Sequence, residues 1–228
     1  MKYRHECKYV VSDAEIMLLM KRIDSFMKLD PNVGKTGSYN IRSLYFDDYY
    51  NRCFYENENG TDVREKFRIR IYNHSRENIK LECKGKIHGM TSKKAVSLSI
   101  EDTKKLMYGQ TLDFISERTS LERKLMLQMM TRGVKPVIIV EYDRIPYIYD
   151  NGNVRVTFDK NISFSLNKEC FLEESINHRP IMLKGQHLME VKFDEYLPDY
   201  IYNALNLGTL QQTAFSKYYL SRKYAQIK

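Results

Sequence analysis

Residues 66–72, KFRIRIY, alternate strictly between cationic and apolar side chains, and this alternation constrains the fold more than any other feature of the chain. Side chains two residues apart in a strand point to the same face, about 6.6–7 Å from each other. A strand here therefore carries three cations on one face and three apolar side chains on the other. An ordinary half-buried strand has mixed polar residues on its wet side, so three consecutive cations require an explanation.

The same alternation recurs in the other predicted strands. Their charged faces hold Arg4, Glu6 and Lys8; Lys66, Arg68 and Arg70; Lys80, Glu82, Lys84 and Lys86; Tyr142 and Arg144; Arg155, Thr157 and Asp159; and Glu190 and Lys192. The intervening positions are apolar in most of these strands, so each strand has one face that must be removed from water. Amphipathic helices elsewhere in the chain supply that cover.

Two arrangements of the charged faces are compatible with this pattern. The faces point to solvent if the sheet is open and backed by helices on one side. They point to a shared interior if the strands close into a barrel, since roughly eight strands leave room for a small ligand. Unpaired buried cations are costly, so a basic interior requires a ligand of opposite charge. The pattern by itself leaves both arrangements open.

Hydrophobic periodicity predicts a single α+β domain over residues 1–228, built mainly from antiparallel strands. Helices are predicted over 12–30, 103–131, 196–205 and 213–225, and strands over 40–47, 64–73, 78–87, 93–100, 137–149, 154–158 and 188–193. Ser12 and Glu15 have the spacing of a capping box at the start of the first helix. Gly133 is the predicted stop of the second helix.

The charge balance favours an acidic partner. The net charge is +8 and the sequence pI is about 9.1, which suits a nucleic acid, an anionic membrane or a phosphate-rich molecule. No nucleic acid is expected, because the cations collect on strand faces and no nucleic-acid motif accompanies them. The four cysteines lack CxxC or CxxH spacing, which predicts reduced thiols in the cytoplasm and no zinc site. Neither a signal peptide nor a transmembrane segment is predicted.

Short motifs follow one another in a fixed order along the chain. They are Arg4-x-Glu6-x-Lys8-Tyr9, SLYFD at 43–47, Arg68-x-Arg70, Glu82-x-Lys84, Lys94-Ala95, Glu141-Tyr-Asp-Arg144, Arg155-x-x-x-Asp159, Glu190-Val-Lys192 and Ser216-Lys217-Tyr218. Each motif is weak alone, but the ordered set resembles the VTC domain, the polyphosphate polymerase branch of the triphosphate tunnel metalloenzymes.

The resemblance implies a closed eight-stranded antiparallel β-barrel, the triphosphate tunnel, with amphipathic helices packed outside. It implies ATP or another triphosphate and polyphosphate as ligands, with Mn²⁺ or Mg²⁺ as cofactor. The implied catalytic phosphate ligands are Arg68, Arg70, Lys84, Arg144 and Lys217. The implied substrate-binding residues are Lys8, Lys94, Tyr142, Ser216, Arg155 and Lys192, and the implied metal ligands are Glu190 and Glu6.

Some of these assignments have alternatives. Lys93 and Lys94 are adjacent, and the register of their strand decides between them; Lys94 is preferred here. Arg155 and Lys192 are alternatively structural ion pairs that support the binding residues.

The expected activity is transfer of the γ-phosphoryl group of ATP to a growing polyphosphate chain. Hydrolytic tunnel enzymes typically begin with ExExK, whereas this chain has Arg4 at the first glutamate position, as the polymerase branch does. A tripolyphosphatase or nucleoside triphosphatase is the runner-up, followed by a noncatalytic polyphosphate- or phospholipid-headgroup-binding module. A membrane-protein partner not encoded in this chain, and the oligomeric state, are left open by the sequence.

Overall fold

The computed structural model describes residues 4–34, 36–88 and 90–226. The strands are β1 His5–Ser12, β2 Lys28–Leu29, β3 Tyr39–Asp47, β4 Arg64–Tyr72, β5 Lys80–Ile87, β6 Met90–Ser97, β7 Lys135–Tyr149, β8 Val154–Ser165, β9 Arg179–Pro180 and β10 Gln186–Phe193. The helices are α1 Asp13–Ile23, α2 Arg52–Glu58, α3 Ile100–Met107, α4 Ser120–Arg132, α5 Asp199–Ala204 and α6 Lys217–Gln226. None of the helices in the described ranges is long and apolar enough to cross a bilayer.

The chain divides into two compact units. The first unit contains the residues up to Asn40, Tyr142–Ile162 and Met182–Phe215. The second unit contains Ile41–Glu141, Ser163–Ile181 and the residues from Ser216 onward. This division does not test the predicted single domain over residues 1–228, which stays a prediction.

The core of the first unit forms between the apolar faces of its strands and the helix α1. Val156, Phe158 and Val191 are completely buried in this core. The capping box predicted for α1 is present, because Ser12 accepts the N–H of Glu15 while the Glu15 carboxylate accepts the N–H of Ser12. The apolar stripe that begins one turn later packs on the strands.

The core of the second unit uses the apolar residues of the KFRIRIY stretch. Ile69 and Ile71 of β4 are completely buried in one cluster with Leu106 of α3 and Leu125 of α4. Removing a large aliphatic side chain from water contributes roughly 1.5–3 kcal/mol. The predicted division of β4 into an apolar and a charged face is therefore confirmed, and helices cover the apolar face.

The strands form a ten-stranded sheet, with eight of them in the order β1-β10-β8-β7-β3-β4-β5-β6. Every pairing whose register is described is antiparallel. The order has two ends, and no β1–β6 pairing occurs among the described residues, so the predicted closure of eight strands into a barrel is wrong for the hydrogen-bonded ladder. At the β1 end, Tyr9 bridges Gln212 and the N–H of Thr213 donates to Lys8 O at 2.8 Å. An irregular segment of the same unit thus covers part of this strand edge.

The largest departure from the predicted elements is the helix over 103–131, which is two helices. α3 ends before Gly109, whose φ of +72° lies in the left-handed region that a right-handed helix does not use. α4 starts at a second capping box, formed by Thr119 and Glu122. Between them Leu112 is buried in the core, whereas Phe114 is 76% exposed and Ile115 is 50% exposed, so the segment does not present one continuous buried stripe. Gly133 ends α4 with φ 63°, as predicted.

Several other boundaries shift by a few residues. α1 is shorter than predicted because the chain turns after Ile23. β6 begins three residues earlier than predicted, where Met90 pairs with Ile87, and ends three residues earlier because Ser99 caps α3. β8 continues to Ser165, well beyond the predicted end at 158. Boundaries of this kind depend on caps and pairing partners that periodicity does not show.

Candidate functional site

Three lysines stand directly opposite one another across β4, β5 and β6 in the second unit. The register pairs Lys66 with Lys84, and Lys84 with Lys93. Like charges that are directly opposite in a sheet repel each other and destabilise the pairing. An anion bound over the row removes that repulsion, so the row marks a candidate anion-binding surface.

We call the surface that contains this row the basic face. The cross-strand pairs place its side chains on the same face of the sheet. They are Arg64, Lys66, Arg68 and Arg70 of β4, Lys80, Glu82, Lys84 and Lys86 of β5, and Lys93 of β6. Eight of these nine side chains are basic. The alternation that the sequence shows in β4 and β5 therefore gathers cations from three neighbouring strands on one surface.

Glu82 is the carboxylate around which the cations of the basic face are arranged, and it is 2% exposed. Arg68 contacts Glu82 Oε2 through Nη2 at 2.6 Å and Nε at 2.8 Å. Lys93 Nζ lies 3.1 Å from Oε1, and Arg70 Nη1 lies 3.9 Å from Oε2. Burial alone raises the pKa of Glu82, but the three neighbouring cations outweigh it and lower the pKa to about 2. Glu82 therefore stays ionised and orients the two guanidinium groups.

The pKa of Tyr45 shows that positive charge exceeds negative charge around its hydroxyl at the basic face. Burial alone raises the pKa of Tyr45, but positive charges, led by those of Arg68 and Arg70, lower it to about 8. Arg68 Nη1 also donates to the Tyr45 hydroxyl at 3.0 Å. Burial lowers the pKa of Lys66 to about 8. A bound polyanion would supply the negative charge that these groups lack.

The start of α6 carries two more of the predicted binding residues. Lys217 is 9% exposed, and its charge contributes to the lowered pKa of Tyr45. Ser216 Oγ accepts the N–H of Tyr219 at 3.3 Å, which caps the helix. Lys217 is therefore electrostatically part of the same cluster, while the predicted contact of Ser216 with phosphate stays a prediction.

Asp47, at the end of β3, holds α6 and α2 in place. It accepts a hydrogen bond from the Tyr218 hydroxyl. It also accepts the backbone N–H groups of Cys53 at 2.9 Å and Phe54 at 3.3 Å, at the start of α2. The Lys66 ammonium lies 5.1 Å from the Tyr218 ring centroid. Asp47 thus positions the residues that surround Lys66, and its own carboxylate is occupied by these donors.

The first unit presents a face of mixed charge. Arg144 Nε and Nη2 donate to the two Asp159 oxygens at 2.6 and 2.7 Å. Lys192 Nζ lies 2.7 Å from Glu190 Oε2, and Arg144 Nη2 lies 3.6 Å from the same oxygen. The ring of Tyr142 lies beside this pair, with its centroid 5.3 Å from Arg144 Cζ. Predicted phosphate ligands are therefore held here by carboxylates.

The remaining predicted residues of the first unit are also paired. Lys8 Nζ donates to the carbonyl oxygen of Phe215 at 2.7 Å and lies 3.0 Å from Glu6 Oε1. Arg155 Nη2 donates to Asp30 Oδ2 at 2.7 Å. The pairing role that the sequence leaves open for Arg155 is thus present in the structure.

Glu190 and Glu6 are the predicted metal ligands, and the register makes them diagonal neighbours on one face of β10 and β1. No group of three or more metal-binding side chains occurs in the part of the chain that the structure describes. Thr157, directly opposite Glu190, is completely buried, and its Oγ1 has no hydrogen-bond partner among the described residues. Mg²⁺ is commonly held by one or two carboxylates together with substrate phosphates and waters. Glu190 and Glu6 therefore fit a Mg²⁺ ion that substrate phosphates and waters also coordinate. They are too few to hold the ion without those further ligands.

The predicted binding residues divide between the two units. Arg68, Arg70, Lys84, Lys94, Ser216 and Lys217 belong to the second unit, and Glu6, Lys8, Tyr142, Arg144, Arg155, Glu190 and Lys192 belong to the first. The structure brings Arg68, Arg70 and Lys84 together on the basic face.

The register places Lys93, and not Lys94, on the basic face. Lys94 is paired with Cys83, which is buried in the apolar core of the second unit. The preference for Lys94 is therefore corrected. Two adjacent lysines occupy opposite faces of a strand, and only the pairing of β6 with β5 decides which of them joins Lys84.

The sequence assigns no binding role to Lys66, Tyr45 or Ser43, which the structure places in this cluster. The sequence does place Lys66 on the charged face, because it lies two residues before Arg68 in the alternating stretch 66–72. Tyr45 and Ser43 have no comparable signal in the sequence. They join the cluster because β3 pairs with β4, which sets Tyr45 opposite Arg68 and brings Ser43 Oγ within 3.1 Å of Arg70 Nε.

Comparison with family models gives one family, and comparison with solved structures gives the fold. The family model described as the VTC domain matches residues 3–225. A candidate adenylate cyclase from Bacillus halodurans has a similar structure, with 13% identity, 94% of each chain covered and a TM-score of 0.54. A candidate adenylyl cyclase from Hippeastrum with a dominant triphosphatase activity has 12% identity, a TM-score of 0.56, and 98% of this chain and 96% of that chain covered. Comparison with curated protein sequences gave no match.

Proposed function

Because the chain belongs to the VTC domain family, we propose that it transfers the γ-phosphoryl group of ATP to the end of a polyphosphate chain. The observation that carries the proposal is the row Lys66–Lys84–Lys93, on a basic face whose positive charge exceeds its negative charge. A condensed phosphate chain has closely spaced negative charges and suits such a surface better than a ligand with one carboxylate.

The side chains of the basic face have the chemistry that phosphate binding requires. The guanidinium groups of Arg68 and Arg70 are oriented by Glu82 and Ser43, and oriented guanidinium groups bind phosphate oxygens through two parallel donors. The lysine ammonium groups act as point charges along the chain. Phosphoryl transfer needs alignment and stabilisation of charge rather than a nucleophilic side chain.

A divalent cation, Mg²⁺ or Mn²⁺, is part of the proposal. Glu190, with Glu6 as its diagonal neighbour, would hold it, and the bound cation would neutralise charge on the phosphate oxygens. Lys192 and Arg144 lie beside Glu190 Oε2 and keep its carboxylate in position.

Hydrolysis of a triphosphate is the second candidate, since a structurally similar protein has a dominant triphosphatase activity. Arg4 argues against it. Its Nε lies 3.0 Å from Asp194 Oδ1, so a cation stands where the hydrolytic enzymes of the resemblance have a metal-binding glutamate.

The test is incubation of the purified protein with ATP and Mn²⁺, followed by gel analysis of polymer and by measurement of orthophosphate. The proposal is supported if Glu190→Gln reduces polymer growth at least about a hundredfold. Changing a residue that only supports a metal ligand already costs about 10–100-fold in metal affinity or activity, so loss of a direct ligand should cost at least as much. Glu195→Gln, an exposed residue of the same unit, is the matched control and should retain activity.

Two outcomes would contradict polymerisation. Orthophosphate release without polymer would identify a hydrolase. Tight polyphosphate binding with neither product, unchanged by Glu190→Gln, would identify a noncatalytic binding module.

A further inference from the structure

The second unit contains a cavity of about 400 Å³ that shares no lining residue with the basic face. It is bounded by the turn after β3, the start of β7, the segment after β8 and the end of α6. Sites for small ligands commonly enclose about 300–1,000 Å³. The cavity is therefore large enough for a small organic molecule, and its lining shows which kind.

Cations outnumber available acids around this cavity. The side chains of Lys135 and Lys168 line it and make no hydrogen bond or ion pair with the described residues, and Arg222 lines it as well. Asp48 is the acidic residue of the lining, and its carboxylate is already engaged. It accepts the N–H of Arg52 at 2.9 Å and lies 3.4 Å from the Arg52 Nε. Two lysine charges are thus left for a ligand.

Arg222 is fixed in position at the wall of the cavity. Its Nη2 donates to Asn51 Oδ1 at 2.6 Å, and its Nη1 lies 3.9 Å from Asp47 Oδ2. A guanidinium that is already oriented loses less conformational entropy when it binds an oxyanion. The lining also includes Tyr49, which is 72% exposed, and Leu166, which is 49% exposed. These two side chains offer an apolar surface to the rest of a ligand.

We propose that this cavity is a second anion site, which binds a small phosphorylated ligand through Lys135, Lys168 and Arg222. The phosphate groups lie against the three cations, and any organic part lies against Tyr49 and Leu166. The site is independent of the basic face and of the phosphoryl transfer proposed for it. A nucleoside diphosphate and inorganic pyrophosphate share the phosphate chemistry, and they serve as separate probes.

The test is calorimetric titration of ADP, and separately of pyrophosphate, into the full chain at one ionic strength. The double variant Lys135→Glu/Lys168→Glu should bind at least one probe at this site about tenfold more weakly or worse, a loss of about 1.4 kcal/mol. Lys104→Glu/Lys184→Glu makes the same charge change at exposed lysines outside the cavity, and its affinities should stay within about twofold of the parent.

The two phosphate sites are separated with Lys84→Ala/Lys93→Ala, which alters the basic face only. Binding that this variant retains and the cavity variant loses belongs to the cavity, whether or not the protein has polymerase activity. Loss with ADP alone identifies a nucleotide as the ligand class, and loss with both probes shows that the phosphate part suffices. Equal isotherms for the cavity variant and the Lys104/Lys184 control, with both probes, overturn the proposal. If the glutamate variant fails to fold, Lys135→Gln/Lys168→Gln gives the same comparison.

Discussion

At the scale of single residues, Glu82 shows how a buried carboxylate organises cations without neutralising them all. Its two oxygens are held by Arg68 and Lys93, with Arg70 at a longer distance. One negative charge among several positive ones fixes side-chain geometry and still leaves a surplus for a ligand. The lowered pKa of Tyr45, which borders Arg68 and Arg70, reports that surplus.

Replacing Glu82 by Gln should lower the free energy of unfolding at pH 7 by about 3–5 kcal/mol, because it leaves buried cations without their partner. The folded-state pKa of Glu82, about 2, is below its ordinary value of 4.5. The stabilisation is therefore present above about pH 4.5 and is lost as the pH falls toward 2. Urea unfolding at several pH values should show the parent and variant converging over that window. A constant difference between pH 7 and pH 2.5 would contradict this account, and Glu77→Gln, at an exposed position, is the control.

Binding of tripolyphosphate should depend on the protonation of Lys66. Its pKa of about 8 means that the ammonium loses its charge as the pH rises from 7 to 9, which weakens the attraction for phosphate. Lys66→Arg keeps the charge over this range and should bind more tightly than the parent at pH 9 but not at pH 7. Calorimetric titration of both proteins at each pH separates this effect from the titration of the ligand, which is common to both. Parallel pH profiles would show that Lys66 does not contribute.

At the scale of elements, the pairing of β6 with β5 decides the composition of the basic face. A shift of one residue exchanges the two faces of a strand, so Lys93 and Lys94 cannot both face Glu82. The sequence predicts that one of them joins the cluster, and it cannot tell which. The edge position of β6 in the strand order makes this register dependent on a single neighbouring strand.

Lys93→Ala should weaken tripolyphosphate binding by about three- to tenfold, as expected for losing one charge-assisted contact of about 1 kcal/mol. Lys94→Ala should change the affinity less than about twofold, because its side chain lies on the face of Cys83. The two variants carry the same charge change one residue apart, so each controls for the other. The reverse order of effects in a binding titration would mean that the register is different in solution.

At the scale of the whole molecule, the net charge of +8 attracts any polyanion and adds to the local geometry. The two units differ in how much excess positive charge they present to a ligand. The basic face has eight cations and one acid, whereas the predicted ligands of the first unit are paired with carboxylates. The long-range attraction is screened by salt, and the short-range contacts are screened less.

Polyphosphate of many residues should therefore lose more affinity than tripolyphosphate when KCl is raised from about 0.05 M to about 0.3 M. The longer ligand extends beyond the oriented guanidinium groups and depends more on screened charge. Fluorescence titration with both ligands measures the two dissociation constants at each salt concentration. Equal salt dependence for the two ligands would place all binding within one short contact region.

The sequence by itself determined the faces of the strands, because alternation with a period of two is a local property that any strand converts into geometry. It therefore predicted that Arg68, Arg70 and Lys84 belong to one charged surface, and the ordered motifs predicted the family that residues 3–225 match. Only the tertiary structure decided which neighbours meet. The strand register selected Lys93 and set Tyr45 opposite Arg68, and the strand order left β1 and β6 without a pairing to each other among the described residues. Pairing joins residues that are distant in the chain, and its energy comes from contacts that no local pattern of side chains records.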